Sequence, residues 1–322
     1  MFSEKENFVR VVRYNHPSHV CYPPPSCGIS YAGSSPTDSR PSADCAYWRD
    51  EWGVGWQDVD GEIFPTLPAV ASYQQVYELR VPDPHEPARM IAATEYVAGM
   101  DRERYFLAAG HSYFLYEKAI NILGPEEFLV AMAEEPGTAH ALLDKILDFE
   151  MGIAQGYLRF QPEHINLSDD YGHQDRLAMS PAMWREFIKP RLKRIIDFYR
   201  HELGADIVVS LHSCGHIMPI LEDFIELGVD VLHPVQSTAN NLTEVRRLTS
   251  GQLTLAGGID GQIVLPFGTP EEVRAEVFTK LAMLWEDGGF LPLPEKMLGV
   301  GEDNERAMVE AIREWSHAQV ER

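Results

Sequence analysis

Residues 207–236 read IVVSLHSCGHIMPILEDFIELGVDVLHPVQ. The run opens on a short apolar stretch, Ile207 to Leu211, and closes on another, Asp230 to His233, with apolar residues at helical spacing from Met218 to Leu227 between them. Four or five apolar residues bounded by turn residues predict a buried strand, and a 3.6-residue period predicts a helix. Strand, helix and strand in that order predict a parallel βαβ unit, because parallel neighbours need a long crossover.

The same alternation extends both ways. Upstream, strand Tyr105–Ala109 precedes helices Leu115–Leu123, Pro125–Glu134 and Thr138–Phe160, and strand His164–Ser168 precedes helix Pro181–Leu203. Downstream come strand Leu253–Gly257, helix Pro270–Asp287, strand Phe290–Leu293 and helix Asn304–His317. Such short strands suit a closed barrel better than a wide open sheet, and no Gly-rich dinucleotide fingerprint follows the first of them. The expected fold is therefore α/β, a distorted (β/α)8 TIM-type barrel. A first strand at His19–Pro25 brings the count to seven, where eight close a barrel. The stretch from Ser26 to Trp48 reads as too polar and too proline-broken to be the eighth.

Residues 1–87 differ in texture, being rich in Pro, Gly, Ser, Tyr and Trp, and predict an irregular amino-terminal cap that includes the first strand. Within it, Trp52–Leu67 reads as a hairpin turned at Asp60-Gly61. Residues 88–322 carry the main βα repeats, and the whole reads as one domain.

With 45% apolar residues in 322, the chain can fill a sizeable core. Lys+Arg number 27 against 49 Asp+Glu, a formal net charge of −22, which repels a phosphate backbone and leaves nucleic acid and anionic membrane as poor partners. No signal peptide or transmembrane span is read at the amino terminus, and Cys21, Cys27, Cys45 and Cys214 are too few and scattered for a disulfide framework. The expected setting is the cytoplasm, and the expected ligand a small molecule.

Barrels carry their active sites at the carboxyl ends of their strands. Those ends are polar here. The pair His212-x-Cys214 joins an imidazole and a thiol, a ligand set that zinc prefers, and both can reach one cavity where the chain turns. The alternative is a buried thiol beside a histidine bonded to backbone. Asp169 and Asp170 must point to opposite sides, so one of them is structural. Asp170 is the candidate acid/base, with Tyr171 and Gln174 as substrate contacts; a turn cap is the alternative. His233 and Gln236 follow the neighbouring strand and Asp260 the next, as a metal ligand and substrate contacts respectively or as ordinary strand termini. Arg176 and Lys296 are the nearest cations. Tyr47, Trp48, Trp52 and Trp56 either line a pocket for a flat ligand or pack a lid.

Four blocks in order, LSDDYGHQDRLAMSPAMWREFIKPRLKRII, VVSLHSCGHIMPILEDFIELGVDVLHPVQ, LAGGIDGQIVLPFGTPEEVRAEV and GGFLPLPE with EDNERAMVEAIREW, resemble the uroporphyrinogen decarboxylase superfamily. In that superfamily the tetrapyrrole decarboxylases do without a metal, whereas cobalamin-linked methyltransferases have His-x-Cys as zinc ligands at this strand end and take a methyl group from a corrinoid protein. His212 and Cys214 fall on that motif. The resemblance thus implies a zinc-assisted methyltransferase, with His212 and Asp170 as catalytic residues and a corrinoid carried by a partner protein. Thiol-activating members usually supply a further cysteine after the last strand, where this chain reads PLPEKML. A third ligand is then His233, Asp170, Glu295 or a cysteine of the cap, with His233 the first choice because its strand neighbours that of His212. The arginine-rich motif by which decarboxylases hold substrate carboxylates is replaced by HVCYPPPSCG. A metal-free decarboxylase with Asp170 stabilising a protonated intermediate, and a degenerate ligand-binding barrel, are the competing expectations.

Overall fold

The computed structural model describes residues 2–295 and 299–320, so Lys296 lies outside the described residues. Ten strands are present among them. In chain order these are β1 (Ser26–Ile29), β2 (Tyr47–Arg49), β3 (Gly55–Val59), β4 (Glu62–Leu67), β5 (Phe106–His111), β6 (His164–Ser168), β7 (Val208–His212), β8 (Val231–Val235), β9 (Thr254–Ile259) and β10 (Phe290–Pro294).

Seven strands form one parallel sheet in the order β1-β5-β6-β7-β8-β9-β10, each linked to the next through helices or, between β1 and β5, through the cap. The sheet is curled. Side chains from β1, β5, β6, β7, β8, β9 and β10 line a single cavity on its concave side, and the helices pack on its convex side. Among the described residues the sheet has seven strands where a closed (β/α)8 barrel has eight, and its order runs from β1 at one edge to β10 at the other.

The first strand is also not where its sequence suggested. It lies at Ser26–Ile29, inside the stretch read as too polar, and His19–Pro25 is an irregular approach to it. A strand paired on one side only, with a polar cavity on its inner face, does not need the continuous apolar run of a central parallel strand. Helix Glu4–Val12, inside the stretch read as an irregular cap, closes the floor: Phe8, Val11 and Val12 pack against Phe106, Val208, Val231, Ala256 and Leu291 at the amino ends of the strands.

The cap contains the antiparallel sheet β2-β3-β4, and the β3–β4 hairpin turns at Asp60 and Gly61, both at positive φ, as the Asp-Gly pair predicts. Trp48, Trp52 and Trp56 are buried in the shared core while Tyr47 is exposed. These indoles pack the lid: Trp52 meets Phe149 edge-on and Trp56 meets Tyr113.

Candidate active site

Strands β6 and β7 end side by side, with Ser168 in register with His212, and β8 brings His233 level with His212. The loops that follow cross at Gly172 and Gly215. A Cβ on Gly215, which has a φ of +81°, would lie 2.3 Å from the Gly172 oxygen, so neither position can carry a side chain without moving the other loop.

Alternation at the end of β6 separates the two aspartates. Asp169 is fully buried and turns outward, where its carboxylate accepts the backbone N–H groups of Leu115 (3.1 Å), Tyr116 (2.8 Å) and Glu117 (2.8 Å) at the start of helix Tyr116–Leu123. It is a helix cap, and burial raises its pKa to about 6 against those amides. Asp170 turns toward the cavity. Its Oδ1 accepts the Cys214 N–H at 2.8 Å and lies 3.5 Å from His212 Nε2, which is 3.4 Å from Cys214 Sγ. One ligand atom from each of Asp170, His212 and Cys214 therefore falls within 4.8 Å of the others.

His233 stands outside that cluster. Its Nδ1 meets His212 Nδ1 at 2.9 Å, behind the face that His212 Nε2 presents to Asp170 and Cys214. Register brings the two rings together, and ring orientation sets His233 behind His212 while Asp170 stands beside His212 Nε2 and Cys214. Burial lowers the pKa of both, that of His233 to about 4. Neutral rings can share that bond as one donor and one acceptor, and a proton on His212 Nδ1 frees its Nε2 lone pair for a cation.

Other expected contacts lie elsewhere. Tyr171 is fully buried, its ring against Trp184, Phe224 and Tyr116, and its backbone N–H bonds Ser213 Oγ; the outward turn at Asp169 carries it into the core rather than to a ligand. Gln174 is exposed and its Nε2 bonds the Thr238 carbonyl. Gln236 Oε1 accepts the Gly215 N–H at 2.5 Å, which holds the cysteine loop from below. Asp260 accepts the Gln262 and Ile263 N–H groups and shapes its own turn. Glu295 is buried and accepts the Ser237 N–H. Arg176 is exposed.

Two groups had gone unread. Glu117, at the start of helix Tyr116–Leu123, sits close enough to Asp169 and Asp170 that burial first, and then their charges, raise its pKa to about 9. It is thus a protonated carboxyl at neutral pH. The second group is the polar row His164, Asn166 and Ser168 along β6, which lines the cavity together with Ser26 and Ser210. Polar residues at every second position of a parallel strand, where both faces should be apolar, were the sequence signal for it. The cavity runs from His212 and His233 down to Phe8 and holds about 480 Å³.

A sequence model of the uroporphyrinogen decarboxylase family matches residues 42–315. The chain belongs to the uroporphyrinogen decarboxylase family. Among curated proteins it is 29% identical over 157 residues to uroporphyrinogen decarboxylase from Shewanella pealeana, a match covering 48% of this chain and 42% of that protein. The corresponding enzyme of Sodalis glossinidius is 30% identical over 46% of this chain and 39% of its own length. The chain thus spans less than half the length of these first relatives; the uroporphyrinogen decarboxylase of Pseudomonas fluorescens matches further, at 23% identity over 79% of this chain and 73% of its own. Among solved structures, a methyltransferase from Methanosarcina mazei superposes with a TM-score of 0.71 over 98% of this chain and 99% of its own, at 16% identity, which shows a shared fold.

Proposed function

We propose that the protein is a zinc-assisted methyltransferase of the uroporphyrinogen decarboxylase family, acting on a small molecule with the methyl group delivered by a corrinoid protein. The observation that carries this reading is the convergence of Asp170, His212 and Cys214 at the head of the cavity. One imidazole, one thiol and one carboxylate are three protein donors, the number a catalytic zinc site takes while keeping a position open for substrate. Zinc, when bound, lowers the pKa of a thiol or hydroxyl beside it and so supplies a nucleophile at neutral pH.

The chain's own groups prepare that position. His233 fixes the His212 ring, Gln236 fixes the loop behind Cys214, and the Cys214 N–H fixes the Asp170 carboxylate. Stoichiometric zinc in the purified protein, with most of it lost in Cys214→Ser at unchanged circular dichroism, is the expected result. A protein that takes up no zinc from supplemented growth medium would sink the proposal.

Glu117 favours a second reading. A carboxyl that keeps its proton to about pH 9 beside Asp170 is a proton store, as a metal-free decarboxylase of a carboxylated substrate would need. The names of the curated relatives agree with it. Against it, neither Lys nor Arg is among the described residues that line the cavity. Release of CO2 from a carboxylated tetrapyrrole by zinc-free protein would install this reading in place of the first.

A further inference from the structure

Barrel-type sheets fill their concave side with branched aliphatic side chains, so that the interior is a packed core and not a pore. Below the cluster the β1, β5, β6 and β7 side of this cavity carries Gly28, Ala108, Gly110, Asn166 and Ser210 instead. Apolar packing closes the floor, where Phe8 meets Phe106, Val208 and Leu291.

Gly28 shows that the hollow is specific. Its φ is not positive, and a Cβ built there would meet nothing within 4 Å. Neither turn geometry nor close backbone approach therefore requires glycine, although glycine weakens a strand. What it provides is room.

One wall of the shaft, along β6 and β7, is polar, and Val231, Ala256, Leu291 and Leu293 form an apolar wall on the β8–β10 side. Among the described residues the side chains of Asn166 and Ser168 have no hydrogen-bond partner in the protein, so both face the hollow with their bonding capacity open. Deeper down, His164 bonds Ser26 Oγ through Nδ1 (3.1 Å) and Ser210 Oγ through Nε2 (2.6 Å). Among the described residues no Lys, Arg, Asp or Glu lines the cavity below the cluster. An ionised ligand would leave water for a site with no counter-charge, whereas a neutral hydroxylated one would exchange its water for amide and hydroxyl partners.

Distance sets the ligand's length. Ser168 is level with His212 and Asn166 with Ser210, so Asn166 lies two strand residues, about 7 Å, below the cluster, and His164 about 13 Å below it.

We propose that this shaft binds a neutral, hydroxyl-bearing small molecule, one end at the cluster and its hydroxyl groups on Asn166 and Ser210. This names the substrate class of the methyl-transfer site, and it rests on that reading only for what the upper end of the ligand does.

The test uses threitol and tartrate, the same four-carbon skeleton with neutral or anionic ends, in saturation-transfer NMR on the full chain after chelator treatment. Saturation transfer to threitol and not to tartrate is expected. It should disappear in Gly28→Leu, whose side chain enters open space, and fall several-fold in Asn166→Leu, with the thermal unfolding of Gly28→Leu unchanged. Equal or stronger transfer to tartrate, no transfer to threitol, or threitol transfer that survives in folded Gly28→Leu would each overturn the proposal. Zinc content and the Cys214→Ser result are read on protein as purified, before chelation, so protein that carries no zinc as purified but binds threitol removes the methyl-transfer reading alone, and protein that carries zinc as purified but ignores threitol after chelation removes the shaft alone.

Discussion

Asp169 and Asp170 are chemically identical and adjacent, and a strand's alternation sends one to a helix and the other to the cavity. Replacing Asp169 with Asn removes the charge that three amides share and turns an N–H toward one of them. A loss of about 2 kcal/mol in urea-unfolding stability is expected. Glu117 gives a pH signature. Its proton is held to about pH 9 in the folded chain but leaves near 4.5 when unfolded, so the folded state binds more protons across that window. Its contribution is complete below pH 4.5 and is lost as the pH rises toward 9. In chelator-treated protein, Glu117→Gln should flatten that decline and raise the melting temperature at pH 8, as calorimetry across the window would show. His-x-Cys was legible because both donors sit in one turn, and a role for Asp170 or Asp169 followed from adjacency alone. Which nitrogen of His212 meets His233 was not legible, since register fixes backbone neighbours and leaves ring orientation to packing.

At the scale of elements, the apolar strands and amphipathic helices from residue 105 onward were readable because each buries a face whose period differs from its neighbour's. β1 was not, because its sequence SCGI answers to an edge and a polar hollow rather than to a two-sided core. Helix Glu4–Val12 was not legible either, since nothing nearby in sequence indicates what its apolar face covers. That face is a floor. Phe8→Ala should cost about 3–5 kcal/mol, measured as a lower denaturation midpoint, because Phe8 is 1% exposed and packs against several strands. Thr269 and Glu272 form a capping box on helix Pro270–Leu284, and Thr269→Ala should cost about 1 kcal/mol, with no effect on zinc content.

For the whole molecule, a formal charge of −22 acts against compactness, so raising ionic strength from about 0.01 M to about 0.15 M should raise the melting temperature by screening self-repulsion. A scan that falls over this range would contradict it. Among the described residues no helix is long and apolar enough to cross a membrane. The amino-terminal floor also orders events in time. Thr254 Oγ1 bonds the Val12 carbonyl, Tyr14 Oη bonds the Leu253 carbonyl, Arg13 pairs with Asp230, and the Val20 N–H bonds Ser316 Oγ. Residues 12–20 are thus fastened to residues synthesised more than 200 positions after them, and Phe8, Val11 and Val12 stay uncovered until those have emerged. A nascent chain arrested before residue 254 should be aggregation-prone and hold chaperones, and one released after residue 316 should not.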